Sequence, residues 1–279
     1  MEESERTVIE IRKNGFPWWL VIIGAIIAVT LLLIINAPSF NDAFAAIRIG
    51  ITTTISITLI AYAISLIIGL IVGLGRVSSN VVAKNLSTFY IELVRGIPML
   101  VLIFFIALVV VPGAVNGVAS LGNWLKGIGV LTLGQKLADI NIRMISMSLR
   151  AIIALSITYG AFSAEIYRAG IQSVPAGQME AARSQGMSYG QAMRHIILPQ
   201  AIRNVLPAIG NDFIAMLKDS SLVSVLAVRD VTHLAKLFAG GSFKFTEAYT
   251  ILAVLYLSMT ILLSLLVKLI ERKISTNDK

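Results

Sequence analysis

An all-α membrane protein with six transmembrane helices is the fold class that this 279-residue sequence predicts, and three observations predict it. The chain is 57% hydrophobic and 14% charged, with a mean hydropathy of +0.85, far too apolar for a soluble domain of its size. Apolar runs long enough to cross a bilayer recur along it, separated by short segments of turn and charged residues. Between the fourth and fifth runs lies one long segment, 171–199, whose polar residues are numerous and patterned and which cannot sit in lipid. With no cysteine, disulfides and thiolate chemistry are excluded. The formal charge of +8, from 23 basic and 15 acidic residues, could suggest nucleic acid. In a multispan chain, basic residues held on the cytoplasmic side against anionic lipid explain it better, so a lipid membrane and no nucleic acid is the expected environment.

Residues 1–17 are expected to be a cytoplasmic N-terminal segment. The first span, Trp18 to Ile35 within 18–36, opens on an aromatic pair at interface depth and carries no charge. No small-residue cleavage site follows it, so it reads as a retained span. The second runs from about Ile51 to Leu74 and begins with a hydroxyl cluster at Thr52, Thr53 and Thr54. Its Gly69-x3-Gly73 could bring two helices close, although chance recurrence in a Gly-rich membrane chain is the favoured reading. The third is interrupted near its start by Gly96-Ile97-Pro98. Just before it, Glu92 and Arg95 stand three apart on one helical face, spaced for an ion pair that serves as an interfacial anchor or a gate. Pro112 to Met144 reads as the longest loop, with Trp124 and Leu125 able to rest on a membrane surface.

The fourth span lies within Ile145 to Ile171, with Glu165 and Arg168 near one end, again three apart, as a gate or a brace. The fifth, roughly Ile202 to Val228, is the most polar, holding Arg203, Asn204, Pro207, Asn211, Asp212, Lys218 and Asp219. Lipid could not face these side chains, so this helix lines the bundle interior, a cavity or a subunit interface. The sixth, about Tyr249 to Ile270, is followed by a basic tail, 271–279. Basic residues favour both termini and segment 171–199 on the cytoplasmic side: twelve, among them Arg76, Lys84, Arg183 and Arg194, fall inside, against seven outside, among them Arg48, Lys126, Lys136 and Lys244.

Segment 171–199, IQSVPAGQMEAARSQGMSYGQAMRHIILP, is expected to form an elbow. Val174-Pro175 starts a helix, with Ser173 as its cap, and Gln178 to Gln185 continues it as far as Gly186. A second helix begins at Ser188, which is spaced with Gln191 as a capping box, and runs until Pro199 interrupts it. The chain has no GxxxxGK[ST] phosphate loop and no HExxH, and its two histidines, His195 and His233, read as surface residues. Any ATP used must be hydrolysed elsewhere. Asp212, near the middle of the fifth span, is costly there unless paired or hydrated. It either binds the ammonium or cationic side chain of a substrate, with Asn211 as an amide partner, or pairs with a cation on another span or protomer.

Glu180-Ala181-Ala182, three residues, Gly186, nine residues, then Ile196, Ile197, Leu198 and Pro199 resemble the EAA loop of ABC importer permeases. The segments Tyr90 to Leu100, Ala161 to Ser188 and Ile197 to Leu226 are similar to the polar amino acid branch of that family, which takes up histidine, arginine or glutamine. The resemblance spans about residue 40 to the C-terminus. It implies a five-helix type I importer core over 40–270 that dimerises with the same or a homologous protomer, the 18–36 helix being an addition to it. It further implies ATP-binding cassette ATPase subunits that carry ATP and Mg, no cofactor in this chain, and an extracytoplasmic amino-acid-binding protein. The elbow would be the coupling helix that docks on the ATPase, and Asp212 would stand where basic amino acid members contact substrate. The competing reading is a secondary transporter driven by an ion gradient through Asp212 or Glu165, against which stands the lack of an internal repeat.

Overall fold

The computed structural model describes residues 18–275. The N-terminal segment 1–17 and the last residues of the tail lie outside the described residues. Among these the chain is almost entirely helical, and five helices are long and apolar enough to cross a membrane. In order they are α1 (Trp18–Asn36), the run α2 (Pro38–Ile47) and α3 (Gly50–Val77), α5 (Met99–Gly127), α7 (Met147–Gln172) and α12 (Phe245–Ser275). Between them lie α4 (Val81–Gly96), α6 (Leu131–Ala138), α8 (Ala176–Ser184), α9 (Tyr189–Ala192), α10 (Leu198–Asp219) and α11 (Val231–Ser242). The expected fifth span is α10, a full helix but too polar to count with the five. It ends at Asp219, where the backbone tightens into a 3-10 turn over Ser220–Leu226.

The spine of the bundle is α3 against α7. Gly69 and Gly73, expected to be incidental, make this contact. A Cβ on Gly69 would lie 2.5 Å from Ser163 Cβ, and one on Gly73 would lie 3.0 Å from Ala164 O. Without side chains at these positions the two backbones approach closely enough for dispersion contact and for cross-helix hydrogen bonds, which is what holds helices together where both faces are apolar. Ser156 Oγ donates to Ala61 O at 3.2 Å, and Tyr90 Oη on α4 donates to Ile157 O. Around this pair, Ile91, Leu102, Ile103, Leu155, Tyr159 and Met216 close the main core. A second cluster, Ala43, Ile47, Val231, Ala235 and Ile251, joins α2, α11 and α12.

Two expectations are corrected. Residues 112–144 are not a loop: α5 continues through a π turn at Ile106–Val110 to Gly127, and α6 folds back on it with Gly134 facing Gly122. At 29 residues α5 is about 43 Å long, beyond the roughly 30 Å of hydrocarbon, so its last turns project past the span. The apparent loop residues are helix interior because Val111 and Val115 bury against the bundle and the π turn just before Pro112 accommodates its ring and missing N–H. The segment before the break at Gly96 is also separate from α5. Asn80 caps it by accepting from Val82 N and Ala83 N, and it forms the half-buried helix α4. The added helix α1 buries only Thr30 and touches the rest through α2 and α12.

Replacing Gly69 with Leu drives a side chain into Ser163 and should cost about 1–3 kcal/mol by overpacking. Gly24→Leu on α1, where a Cβ meets nothing within 4 Å, should cost nothing measurable. Thermal stability of the detergent-solubilised protein, read by size-exclusion chromatography, checks the contrast.

Candidate functional site

Two regions collect the polar residues singled out by the sequence. The first is the elbow. Pro175, not Ser173, occupies the N-cap of α8; Ser173 closes α7 instead, its Oγ donating to Gly170 O at 2.7 Å. Helix α8 ends by Gln185, and Gly186 turns the chain at φ +83°, a left-handed conformation that side chains resist. Ser188 and Gln191 then form the reciprocal capping box: Ser188 Oγ accepts from Gln191 N at 3.3 Å and Gln191 Oε1 accepts from Ser188 N at 2.8 Å. Pro199 does not interrupt the second helix of the elbow. Met193–Ile197 widen into a π turn, and the Pro falls in the first turn of α10, so the backbone runs unbroken from Tyr189 to Asp219.

The elbow is seated on the bundle by its own small core. Ile171, Val174, Met193, Ile197 and Ala201 bury together against Leu74 and Val77 at the end of α3, with Met179 of α8 on top. Ala182 is buried, whereas Glu180, Ala181 and Gly186 are exposed. Leu198 is half-buried and Pro199 exposed.

The second region is the inner face of α10. Ser163 Oγ donates to Asp212 Oδ2 at 3.4 Å, and Tyr62 stands beside it, stacked on Phe213 at 4.7 Å and donating to Ile209 O at 2.6 Å. Seven residues on, Asp219 Oδ2 accepts from Tyr159 Oη at 2.7 Å. No Lys or Arg among the described residues is within ion-pairing distance of either carboxylate. Two acids on one helical face, satisfied by hydroxyls only, make a site with unspent affinity for a cation. Asp219 makes no cap bond and shares the face of Asp212. The seven-residue spacing was the available signal. Asn211 is separated from Asp212 by the turn of the helix and lies exposed, in line with exposed Asn204, Ala208 and Lys218. That polar face cannot meet lipid.

Between the two regions lies an ion-pair brace. Glu165 of α7 takes Arg168 at 2.8 Å and Arg76 of α3 at 3.3 Å, and Arg76 also reaches Glu92 of α4 at 3.4 Å. Three helices are thereby pinned at the elbow end. Glu92 and Arg95 do not pair as their spacing suggested, because the nearer guanidinium comes from α3. Arg95 lies instead over the Phe162 ring, 5.9 Å from its centroid. Among the described residues no cluster of acidic or histidine side chains could hold a metal ion.

A family model described as the binding-protein-dependent transport system inner membrane component matches residues 65–276. A probable glutamine ABC transporter permease protein of Bacillus subtilis is 35% identical over 239 residues, 86% of this chain and 98% of the relative. A glutamine transport system permease protein of Escherichia coli K12 is 30% identical over 224 residues, covering 80% and 90%. A crystal structure of an amino acid ABC transporter with histidines superposes with a TM-score of 0.64 at 36% identity, over 87% of this chain and 97% of that one.

Half-buried Glu165 sits between the exposed limit, where an ion pair is worth under about 1 kcal/mol, and the buried one of about 3–5 kcal/mol. Arg76→Gln should therefore cost about 2 kcal/mol, and adding Glu165→Gln should recover part of it. A double-mutant cycle on thermal stability reads the coupling; strict additivity would mean that the pair contributes nothing.

Proposed function

This chain belongs to the family of binding-protein-dependent transport system inner membrane components, and on that premise we propose how its parts divide the work of import. It is the transmembrane subunit of an ATP-driven amino acid importer, a permease and not an enzyme, with ATP hydrolysed on a separate ATPase subunit. An ion-gradient mechanism is set aside. The partners are two ATP-binding cassette subunits, which carry ATP and Mg, an extracytoplasmic amino-acid-binding protein and a second permease protomer, the same or homologous. The chain is a multi-pass protein of the inner membrane, oriented with both termini and the elbow in the cytoplasm, as the basic residues favour.

The observation that carries the mechanism is the unbroken backbone from the elbow into α10. Helix α8, with Glu180, Ala181 and Ala182 and the exposed turn at Gly186, is the coupling element that docks on the ATPase. When the ATPase subunits close on ATP, the docked elbow moves. The motion passes through α9 and the π turn into α10, and through the apolar seat into the ends of α3 and α7. Access to the inner face of α10 then alternates between the two sides of the membrane, and hydrolysis reverses it. The brace of Glu165, Arg168, Arg76 and Glu92 keeps α3, α4 and α7 together while α10 turns.

The substrate is a polar or basic L-amino acid. Asp212 holds its ammonium group, with Ser163 and Tyr62 orienting the carboxylate, and Asn211 on the adjoining exposed face offers its amide. Asp219, about 10 Å further along α10, supplies a second acid. Two acids so spaced favour a substrate with a cation at each end.

Co-purification with an ATPase subunit, and amino acid uptake by the reconstituted complex on ATP with no ion gradient, test the reading; accumulation by the chain alone on a sodium or proton gradient would overturn it. Glu180→Lys and Gly186→Arg should abolish uptake and weaken ATPase association with membrane insertion intact. Gly186→Ala, which meets only backbone strain of about 1–2 kcal/mol, should retain most of both. Asp212→Ala removes a charge-assisted contact and should raise the substrate concentration that half-stimulates ATP turnover about tenfold or more. An unchanged response would leave Asp212 a structural residue.

A further inference from the structure

At the elbow end of the bundle, α4, α7 and α10 leave between them an open cleft of about 520 Å³, within the range of small-molecule sites. Its polar lining is Arg95, Glu165, Arg168, Ser173 and Asn204. Most of these groups are already engaged. Arg168 gives its guanidinium to Glu165 and Gln172, Glu165 is shared with Arg76, and Asn204 Nδ2 donates to Ser173 Oγ at 2.9 Å. Arg95 is the exception. It is held over the Phe162 ring and, among the described residues, has no carboxylate partner, which leaves the fork of its guanidinium for a ligand. Two guanidiniums, Arg95 and Arg168, line the cleft against one carboxylate, Glu165. The surplus is one positive charge, carried by the residue that has no acid.

Position gives this charge its use. Asn204 in the cleft begins the exposed polar face of α10 that continues to Asn211, seven residues and about 10 Å away, next to Asp212. One end of the path therefore offers an acid with no base, and the other a base with no acid. An amino acid carries both complements. We propose that Arg95 anchors a second station on the path, which takes the α-carboxylate of the amino acid after its ammonium leaves Asp212. The station rests on the import reading above and extends it: the zwitterion is passed from a group that holds its positive end to one that holds its negative end. Phe162 keeps the guanidinium in place by its ring face and leaves its edges for bidentate contact with a carboxylate.

A ligand that binds the elbow-side station stabilises the state open to that side, so it must slow ATP turnover. The test uses the complete transporter, with ATPase and binding protein, in proteoliposomes whose lumen corresponds to the elbow side. L-glutamine and L-arginine are placed in the lumen, and beside them their carboxyl-free counterparts, 4-aminobutanamide and agmatine. The amines keep what Asp212 recognises and lack what Arg95 recognises. The expected result is that the amino acids inhibit uptake and ATP turnover at luminal concentrations about tenfold or more below the amines. Arg95→Gln should remove that difference and Arg95→Lys should restore part of it. An Arg95 that only anchored α4 at the membrane surface would lower uptake without altering the ratio between amino acid and amine. Equal inhibition by both classes, no luminal inhibition, or a ratio unchanged in Arg95→Gln would overturn the station while ATP-driven uptake still upheld import. Failure of the complex to take up either amino acid on ATP would bring down the import reading, and the station with it.

Discussion

Hydrocarbon does not hold carboxylates, amides and ammonium groups, and α10 carries Asp212, Asp219, Asn204, Asn211 and Lys218 through the depth of the bundle. The rest of the fold is arranged around keeping that helix out of lipid. Its acids turn toward α3 and α7 and are met by Tyr62, Ser163 and Tyr159. Its other polar face meets Ser173 at Asn204 and is otherwise exposed at Asn211 and Lys218 among the described residues. That face therefore requires water, substrate or a second subunit. The apolar helices α1, α5 and α12 supply the surface that lipid accepts.

The same constraint explains why α3 and α7 approach so closely. A helix that must tilt to change access needs a rigid partner to move against. The glycine contacts at Gly69 and Gly73 and the guanidinium of Arg76 on Glu165 close the elbow end of one seam, and Ser156 bonds Ala61 O further along it. Helix α10 meets that seam through Met216 and the Tyr62–Phe213 stack as well as through hydroxyl contacts to its acids.

Much of this was legible in the residues. The elbow could be read because its chemistry is local: a capping box and a Gly turn each lie within a few residues, and both form. The polarity of α10 was legible for a similar reason, since burial cost is a property of composition. What could not be read was choice of partner. Glu92 is three residues from Arg95, yet Arg76, sixteen residues away, reaches it, and only the crossing of α3 and α4 decides that. The glycines of α3 were equally opaque, because close approach depends on what the other helix presents. Residues 112–144 looked like a loop because scattered Gly lowered the helical signal, while the packing of α6 on α5 that overrides it is tertiary.

The π turn at Met193–Ile197 sets an azimuth. Each residue added to a helix rotates everything beyond it by about 100°, so this one wide turn decides which side of α10 faces α7. Closing it to an ordinary turn would swing both acids about a quarter-turn, away from their hydroxyl partners. The elbow and the acids are thus two hands on one shaft, and the extra residue between them is the key that holds their relative angle.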